Sequence, residues 1–276
     1  MLSGVDNTID IEGMFSVSIQ PLAQFARHPS WTREFLHSSE RHRLIWITRG
    51  QSSATFAGKN HQYGPNSVMV IPAGTMHSID VKQTVFGTIM EINPFDFLSM
   101  PTEPVHLRIR DALAQGRFVA LVENLQREIS NPDSGHRRAC LFHAGIIGVW
   151  LERTIMAGQH GDIRPAATQR LVTNYMQLVE DLFSTGKNVT DIAARMNVTP
   201  THLTRCCKKV LGKSSLTILN ERIHYEARIC LANTKAPVQD IAQTLGFTSA
   251  AYFTRAFQAI AHTTPSQFRA AHSKSL

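Results

Sequence analysis

The chain has few cysteines and lacks any arrangement of them that suggests a disulfide scaffold or a zinc site. Four occur in 276 residues (Cys140, Cys206, Cys207 and Cys230), and no two form a C-x-x-C pair. The sequence also lacks an apolar run of the roughly 20 residues that a membrane-spanning helix requires. Its first residues, Met-Leu-Ser-Gly-Val-Asp, are acidic, unlike a signal peptide. We therefore expect a reduced, cytoplasmic protein with no membrane partner.

Excess positive charge is confined to the C-terminal part of the chain. Residues 1–164 contain 15 basic and 15 acidic residues, whereas residues 165–276 contain 13 basic and 6 acidic residues. The formal net charge of +7 therefore belongs entirely to this second part. Charge alone is explained equally well by a solvated basic surface and by a nucleic-acid partner.

The first part of the chain has the pattern of short strands and the second part that of helices. Runs rich in β-branched residues, such as 44–48 and 67–71, alternate with Gly and Pro at the spacing of a sandwich or barrel. Apolar residues then recur with a helical period over 117–129 and 136–156. We predict an α+β protein with a barrel over residues 1–105, a helical pair over 106–158, a linker over 159–166 and an all-α domain over 167–276.

The C-terminal part contains two copies of one helical unit. Residues Val189–Val198 match Val238–Phe247 at an offset of 49, and Leu203–Cys207 match Phe253–Phe257 at an offset of 50. Each copy is typical of a helix-turn-helix, and the two units span about 189–211 and 238–261. Apolar residues at helical spacing from Ser215 to about Asn233 predict a rod of roughly 28 Å between them. Such a rod suits two recognition helices about one turn of DNA, 34 Å, apart.

Local signals define the first unit. Asn197 tolerates the left-handed conformation that its turn requires, Thr199 and Pro200 are typical of a helix start, and Gly212 is typical of a helix end. We expect three residues to face inward, namely Leu203, Cys207 and Val210. The predicted base contacts of this unit are Thr201, His202, Thr204 and Arg205, and the predicted phosphate contacts are Lys208, Lys209 and Lys213.

In the second unit Gly246 is predicted to form the turn, Ser249 to cap the helix, and Phe253 and Phe257 to face inward. The predicted base contacts are Ala250, Ala251, Tyr252, Thr254 and Arg255. Alanine can touch a thymine methyl group but cannot hydrogen-bond a base, so we expect this unit to discriminate between sequences less than the first.

Residues Ala167–Arg269 resemble the AraC/XylS family of bacterial transcription regulators. The most specific match is Gly246-Phe247, followed by Phe253-Thr-Arg255-Ala-Phe257 and then by Thr264-Pro265-Ser-Gln-Phe268-Arg269. The resemblance implies double-stranded DNA as the partner, with RNA polymerase as a further one. It assigns base contacts to Thr201, Thr204, Arg205, Ala250, Ala251 and Arg255. His262, Cys207 and Ser215 depart from the Gly, Phe and Pro usual in the family, and we expect the fold to tolerate them.

The N-terminal part resembles the cupin-like sensor barrel of many such regulators, over Ile45–Gly50 and Gly64–His77. Of the four metal-ligand positions of cupin enzymes only His37 and His77 remain, because Arg43 stands at the position of the usual glutamate. An arginine repels a metal ion and cannot bind it. We therefore expect no metal, no cofactor and no enzymatic activity.

The same Arg43 suggests an effector site. If residues 41–47 form a strand, Arg41 and Arg43 point into the barrel, where a buried arginine requires a partner such as a carboxylate or phosphate. We therefore predict an anionic small-molecule effector bound by Arg41, Arg43, His37 and His77. The alternatives are an internal ion pair with Glu91 or Glu40, or exposure of the arginine at the mouth of the barrel.

These patterns together predict a sequence-specific transcription regulator controlled by a small molecule or a partner bound to its barrel. The helices from about Arg117 to Met156 either pair two protomers into a homodimer, as the resemblance implies, or pack only on their own barrel. The alternative functions are a cupin enzyme tethered to DNA, a constitutive regulator with a purely structural barrel, and a nonspecific architectural DNA-binding protein.

Overall fold

The computed structural model describes residues 16–94, 98–158 and 166–273. The strands of these residues are β1 (Val17–Pro21), β2 (His42–Arg49), β3 (Ser52–Phe56), β4 (Lys59–Tyr63), β5 (Ser67–Ile71), β6 (Ser78–Asp80), β7 (Phe86–Ile92) and β8 (Val105–Arg108). Their helices are α1 (Leu22–Phe25), α2 (Trp31–Glu34), α3 (Ala112–Ser130), α4 (His136–Met156), α5 (Ala167–Leu182), α6 (Val189–Arg195), α7 (Pro200–Leu211), α8 (Ser215–Asn233), α9 (Val238–Thr244), α10 (Ala250–Ala261) and α11 (Pro265–His272).

Two antiparallel sheets form the N-terminal domain. One has the strand order β1-β7-β2-β5-β8 and the other the order β4-β3-β6. Successive side chains of a strand point to opposite faces, so Ile45 and Ile47 of β2 lie with Phe56 of β3 in an apolar core that both sheets share. The neighbouring Leu44 belongs to a second core on the other face. This sheet domain followed by helices confirms the predicted α+β fold class.

Helices α3 and α4 cover the outer face of the five-stranded sheet. Phe118 of α3 and Ile147 of α4 are fully buried with Leu44 of β2. The boundary expected after residue 105 needs correction, because β8 starts at Val105 and pairs with β5 up to Arg108. By length and composition α4 alone among the described helices could cross a membrane, but its buried stripe faces the sheet as in a core helix.

The C-terminal domain consists of helices α5 to α11. Helices α6–α7 and α9–α10 coincide with the two units expected at 189–211 and 238–261, and the 19-residue helix α8 lies between them. Leu203 and Cys207 are buried as predicted, whereas Val210 is only partly buried and Cys206, which the repeat left unassigned, joins the core. The expected linker lies outside the described residues, except for Ala166 at the start of α5.

The two domains are packed against each other. The segment from Trp31 to His37 contacts α8, and Trp31 also packs beside Phe268 of α11. A second contact comes from the β3–β4 turn, where the carbonyl of Ala57 accepts a hydrogen bond from Gln169 Nε2 of α5 at 3.1 Å. Strand β4 itself lies beside α7. The position of the first helix-turn-helix unit is therefore tied directly to the sheet domain.

Candidate nucleic-acid interface and effector site

The backbone of the first unit has the geometry that its local sequence predicts. Asn197 has a φ of 55°, in the left-handed region. The Thr199 side chain accepts a hydrogen bond from the amide of His202, so it caps α7 as expected, and Pro200 occupies the first turn. Gly212 ends the helix with a φ of 72°. These signals fix both ends of the predicted recognition helix.

One face of α7 is open to solvent and carries cationic and small polar side chains. Thr201, Arg205 and Lys208 are exposed, together with Lys209. His202 is half-buried, and its Nδ1 lies 3.0 Å from an Arg205 guanidinium nitrogen. Because this contact holds the guanidinium beside the helix start, Arg205 is oriented before any partner arrives. Arginine in this setting suits the paired acceptors of a guanine edge.

Two predicted DNA contacts on this side of the domain are engaged inside the protein. The hydroxyl of Thr204 lies 2.7 Å from that of Ser215, at the start of α8. Lys213 Nζ lies 2.8 Å from a carboxylate oxygen of Glu221, and both side chains are largely covered. Lys213 reaches a phosphate only if that ion pair opens, because the carboxylate now neutralises its charge. Its assignment as a phosphate contact stays a prediction.

The second unit presents a less polar recognition face. Ser249 caps α10 by accepting the amide of Tyr252, and Phe253 and Phe257 are buried as predicted. The exposed residues of the expected contact set are Ala251, Tyr252 and Arg255, whereas Ala250 and Thr254 are half-buried. Tyr252 is 55% exposed, so it adds a phenol group to this face. Arg255 is the one cation among the five predicted contacts.

The second unit touches the loop before the first unit at two glycines, Gly246 and Gly186. The sequence repeat did not predict this contact. Gly246 lies in the turn of the second unit with a φ of 77°, and a Cβ placed there would clash with the backbone of Gly186, in the loop before α6. Only glycine allows this approach. Arg222 of α8 adds a second connection through Glu180 of α5, with nitrogen–oxygen distances of 2.7 and 2.9 Å. The relative position of the two recognition helices is therefore set by close packing as well as by the rod.

In the sheet domain, three of the four predicted effector residues form one buried cluster. Arg43 Nε lies 2.8 Å from Glu91 Oε1, and one terminal nitrogen of Arg43 lies 3.0 Å from His37 Nε2 and 2.8 Å from His77 Nε2. The ion pair with Glu91 was the alternative to an effector bound by Arg43. Arg41 precedes β2, where its backbone amide donates to the Ser39 hydroxyl, and within the described part of the chain its side chain does not join this cluster.

Hydrogen bonds determine the protonation of both imidazoles. His37 Nδ1 lies 2.8 Å from the carbonyl of Phe35, and His77 Nδ1 lies 2.8 Å from that of Thr75, so each Nδ1 donates. Each Nε2 is then left to accept from Arg43. Burial, reinforced by the Arg43 charge, lowers the pKa of His77 to about 3 and the pKa of His37 below its ordinary value. Two neutral imidazoles and one carboxylate therefore satisfy the guanidinium.

This cluster continues into the DNA-binding domain through residues that sequence reasoning missed. The His37 ring stacks on that of Tyr225 in α8, with centroids 4.0 Å apart and an angle of 10° between planes. Beside it, the amide of Leu36 donates to Glu221 Oε2 at 3.1 Å. Arg228 of α8 lies under the ring of Phe35 at 4.8 Å. The sequence signal that could have indicated this interface is the presence of charged and aromatic polar residues among the apolar positions of α8. These residues are Arg222, His224 and Arg228, all buried in the structure.

Across the described residues, no group of three or more His, Cys, Asp or Glu side chains is arranged to hold a metal ion. Arg43 occupies the position between the two imidazoles, as its place in the sequence suggested, and its charge opposes a cation there.

Comparison with known proteins agrees with this architecture. A family model described as "AraC-like ligand binding domain" matches residues 19–141, and one described as "Helix-turn-helix domain" matches residues 177–271. The HTH-type transcriptional regulator YfiF of Bacillus subtilis is 33% identical over 258 residues, which cover 87% of this chain and 80% of the relative. The chain belongs to the AraC family. It is a transcriptional regulator with an N-terminal ligand-binding domain and a C-terminal helix-turn-helix domain.

Further similarities are found to another regulatory protein and to a solved structure. The arabinose operon regulatory protein of Escherichia coli is 23% identical over 108 residues, covering 39% of this chain and 37% of the relative. A crystal structure of ToxT from Vibrio cholerae, described as bound to an unsaturated fatty acid, is 11% identical with a TM-score of 0.44. That alignment covers 95% of this chain and 96% of ToxT.

Proposed function

We propose that this AraC-family regulator binds specific DNA sequences in the cytoplasm and that a small molecule bound to the sheet domain controls this binding. One observation carries the proposal: helix α8 joins the two helix-turn-helix units and also receives the aromatic and hydrogen-bond contacts of the sheet domain through Tyr225 and Glu221. A change in the sheet domain that moves the Trp31–His37 segment therefore acts on the element that spaces the two recognition helices.

The two recognition helices contribute unequally to sequence discrimination. Helix α7 offers Thr201 and Arg205 to base edges and Lys208 to phosphates, whereas α10 offers Ala251 and Arg255. The first unit therefore supplies most of the sequence discrimination. The second adds affinity, one arginine contact and apolar contact with thymine methyl groups.

Selection from random duplex oligonucleotides tests this proposal. We expect the full chain to enrich a motif in which one segment is strongly specified and a second, one helical turn away, is weakly specified. The enriched duplex should bind at least about 1,000-fold more tightly than a scrambled duplex at the same salt concentration. Binding that is salt-dependent but equal for all sequences would instead establish an architectural DNA-binding protein.

The Arg43 cluster remains a candidate for effector binding, but a ligand there must compete with the existing partners of Arg43. An anion that pairs with Nε of Arg43 must displace Glu91, and the displaced carboxylate then needs water or another donor. Such an exchange would disturb His37 and, through it, the ring of Tyr225. A ligand whose stabilising effect on thermal unfolding is the same in wild type and in Arg43→Ala does not bind there.

We also propose that the protein forms a homodimer through α4. Its outer face leaves four large apolar side chains exposed on one stripe: Phe142, Ile146, Val149 and Met156. A second copy presenting the same stripe would bury all of them. In light scattering, Ile146→Glu should shift the mass from dimer to monomer, whereas Lys82→Glu, on an exposed loop away from this helix, should not. A wild-type monomer at all concentrations would contradict this proposal.

A further inference from the structure

A crevice lies where the two sheets of the N-terminal domain present their open edges. Strand β4 is the edge of the three-stranded sheet, and β8 is the edge of the five-stranded sheet. Between them is a cavity of about 270 Å³, lined among others by Gln51, Gln62, Tyr63, Ser67, His106 and Arg108. This volume is that of about nine water-sized groups, enough for a small metabolite.

Strand register shows that the basic residues of β8 point toward the crevice. Cross-strand partners in an antiparallel pair share one face of the sheet. His106 is opposite Met69, and Met69 belongs to the core between the sheets. Arg108, two residues further on and opposite Ser67, lies on the same face.

The same argument applies to β4. His61 is opposite Ala54 and Lys59 is opposite Phe56, and both of these partners belong to the core between the sheets. The His61 ring also stacks on Phe56, with centroids 4.0 Å apart. Of these four basic side chains, His106 and Arg108 of β8 line the cavity. Lys59 and His61 of β4 are outside its lining, and the His61 ring meets that of His106.

The hydrogen-bonding groups of this basic cluster are unsatisfied. His61 Nε2 and His106 Nε2 are buried, and neither has a partner among the described residues. Their rings meet edge to face with centroids 6.1 Å apart. Burial, followed by the neighbouring His106 and Lys59, lowers the pKa of His61 to about 4. Burial, followed by the charges of Arg108 and Lys59, lowers the pKa of His106. An anion would supply the acceptor oxygens and the opposite charge that the cluster lacks.

This crevice differs from the Arg43 cluster in what a ligand must displace. Arg43 already has Glu91 and two imidazoles as partners. Arg108 is exposed, and within the described parts of the chain its side chain makes no ion pair or hydrogen bond. An anion therefore reaches Arg108 without breaking an internal ion pair, which favours this crevice as the anion site.

We propose that the β4–β8 crevice binds a small organic oxyanion, a carboxylate or a phosphate ester, through His106 and Arg108, with the charge of Lys59 nearby. The role of this crevice as the effector site rests on the proposed function, whereas its ability to bind an oxyanion does not. The route to DNA is short, because β4 lies beside α7 and the β3–β4 turn contacts α5 through Ala57 and through Gly58, which packs on Thr173. A ligand that draws β4 toward β8 moves a strand in contact with the first helix-turn-helix unit.

Calorimetric titration of the full chain tests the site, with inorganic phosphate and succinate as separate probes at constant ionic strength. We expect at least one probe to bind with a dissociation constant below about 10 mM. Arg108→Gln should weaken that binding by about tenfold or more, and Lys59→Gln should weaken it too. Lys82→Gln removes one charge from an exposed loop outside the crevice and should leave binding unchanged.

The two probes distinguish the sources of the oxyanion. Binding of phosphate alone assigns the site to phosphorylated ligands, and binding of succinate alone assigns it to carboxylates. Absence of binding by both probes, or equal binding by wild type and by an Arg108→Gln protein with an unchanged melting temperature, overturns the proposal. DNA affinity is measured separately with and without the probe. An unchanged affinity would leave the site intact and contradict only its role in controlling DNA binding.

Discussion

The imidazole of His37 in the sheet domain stacks on the phenol ring of Tyr225 in α8, with centroids 4.0 Å apart. His37 Nε2 simultaneously receives a hydrogen bond from Arg43, so one ring belongs both to the buried cluster of the sheet domain and to its interface with the DNA-binding domain. Tyr225 lies on the helix that separates the two recognition helices. Any change in the cluster that rotates His37 is therefore transmitted to this helix by direct contact.

The strength of this contact can be measured with a double-mutant cycle. His37→Leu and Tyr225→Leu should each destabilise the protein, and together they should cost less than the sum of the two. We expect a coupling free energy of about 0.5–1.5 kcal/mol, the usual worth of an aromatic pair. Denaturation by urea gives the four unfolding free energies. The cycle of Tyr225→Leu with His136→Leu, on distant α4, serves as the control, and a coupling no larger than this control would show that the stacking contributes nothing.

Arg205 and Lys208 are expected to have different roles on the same helix. Arg205→Ala should cost about 1–3 kcal/mol on the preferred duplex and relax the preference at one base pair, because a base contact is lost. Lys208→Ala should weaken binding to all sequences alike. It should also reduce the slope of log affinity against log salt concentration by about the amount due to one phosphate contact. Affinities for the preferred duplex and its single-base variants at several salt concentrations separate the two. If Arg205→Ala weakens every duplex equally, Arg205 contacts the backbone rather than a base.

The features that could be predicted from the sequence are those set by neighbouring residues. Thr199, Ser249 and Gly212 act through hydrogen bonds and backbone angles within a few positions of themselves, so their residue types define the helix ends. Apolar periodicity likewise gave the helix-turn-helix units and α4. The start of α3 was placed five residues late, because Leu113 is exposed and lies off the apolar stripe of the helix. The signal at this helix start is the cap by Asp111.

Contacts between distant segments could not be predicted in this way. No local pattern pairs His37 with Tyr225, 188 positions later, or Lys213 with Glu221 across a helix start. The short edge strand β8 was missed although Val105–Arg108 alternates apolar and polar residues as a half-buried strand does. Four residues directly after a proline are a weak signal, and pairing with β5 is what establishes the strand. The crevice cluster depends on that strand, which explains why His106 and Arg108 did not emerge as candidates.

The buried imidazoles predict a loss of stability in mild acid. Burial, followed by the charge of Arg43, lowers the pKa of His77 to about 3 in the folded protein, whereas in the unfolded chain it titrates near 6.5. Below that pH the unfolded state binds a proton that the folded state does not, so stability is full above roughly pH 6.5 and falls as the pH decreases. One such group contributes a slope of up to about 1.4 kcal/mol per pH unit.

Urea denaturation between about pH 7 and pH 5 measures this slope. His77→Gln should reduce the slope by close to the amount expected for one proton, because glutamine can still accept a hydrogen bond from Arg43 but does not titrate. His28→Gln, at an exposed position, is the control and should leave the slope unchanged. An identical slope in His77→Gln and wild type would mean that His77 binds its proton over the same pH range in the folded and unfolded states.

The end of α10 offers a direct test of backbone strain. His262 has a φ of 56°, and its amide donates to the carbonyl of Gln258, so an imidazole-bearing residue closes the recognition helix at a position that favours glycine. Relief of the left-handed strain is worth about 1–2 kcal/mol, and the greater freedom of glycine in the unfolded chain offsets about 0.4–1 kcal/mol of it. His262→Gly should therefore stabilise the protein by about 0.5–1 kcal/mol in thermal or urea unfolding. His262→Ala retains a Cβ and should bring no gain. If alanine stabilises as much as glycine, the imidazole itself, and not the backbone angle, is the source of the strain.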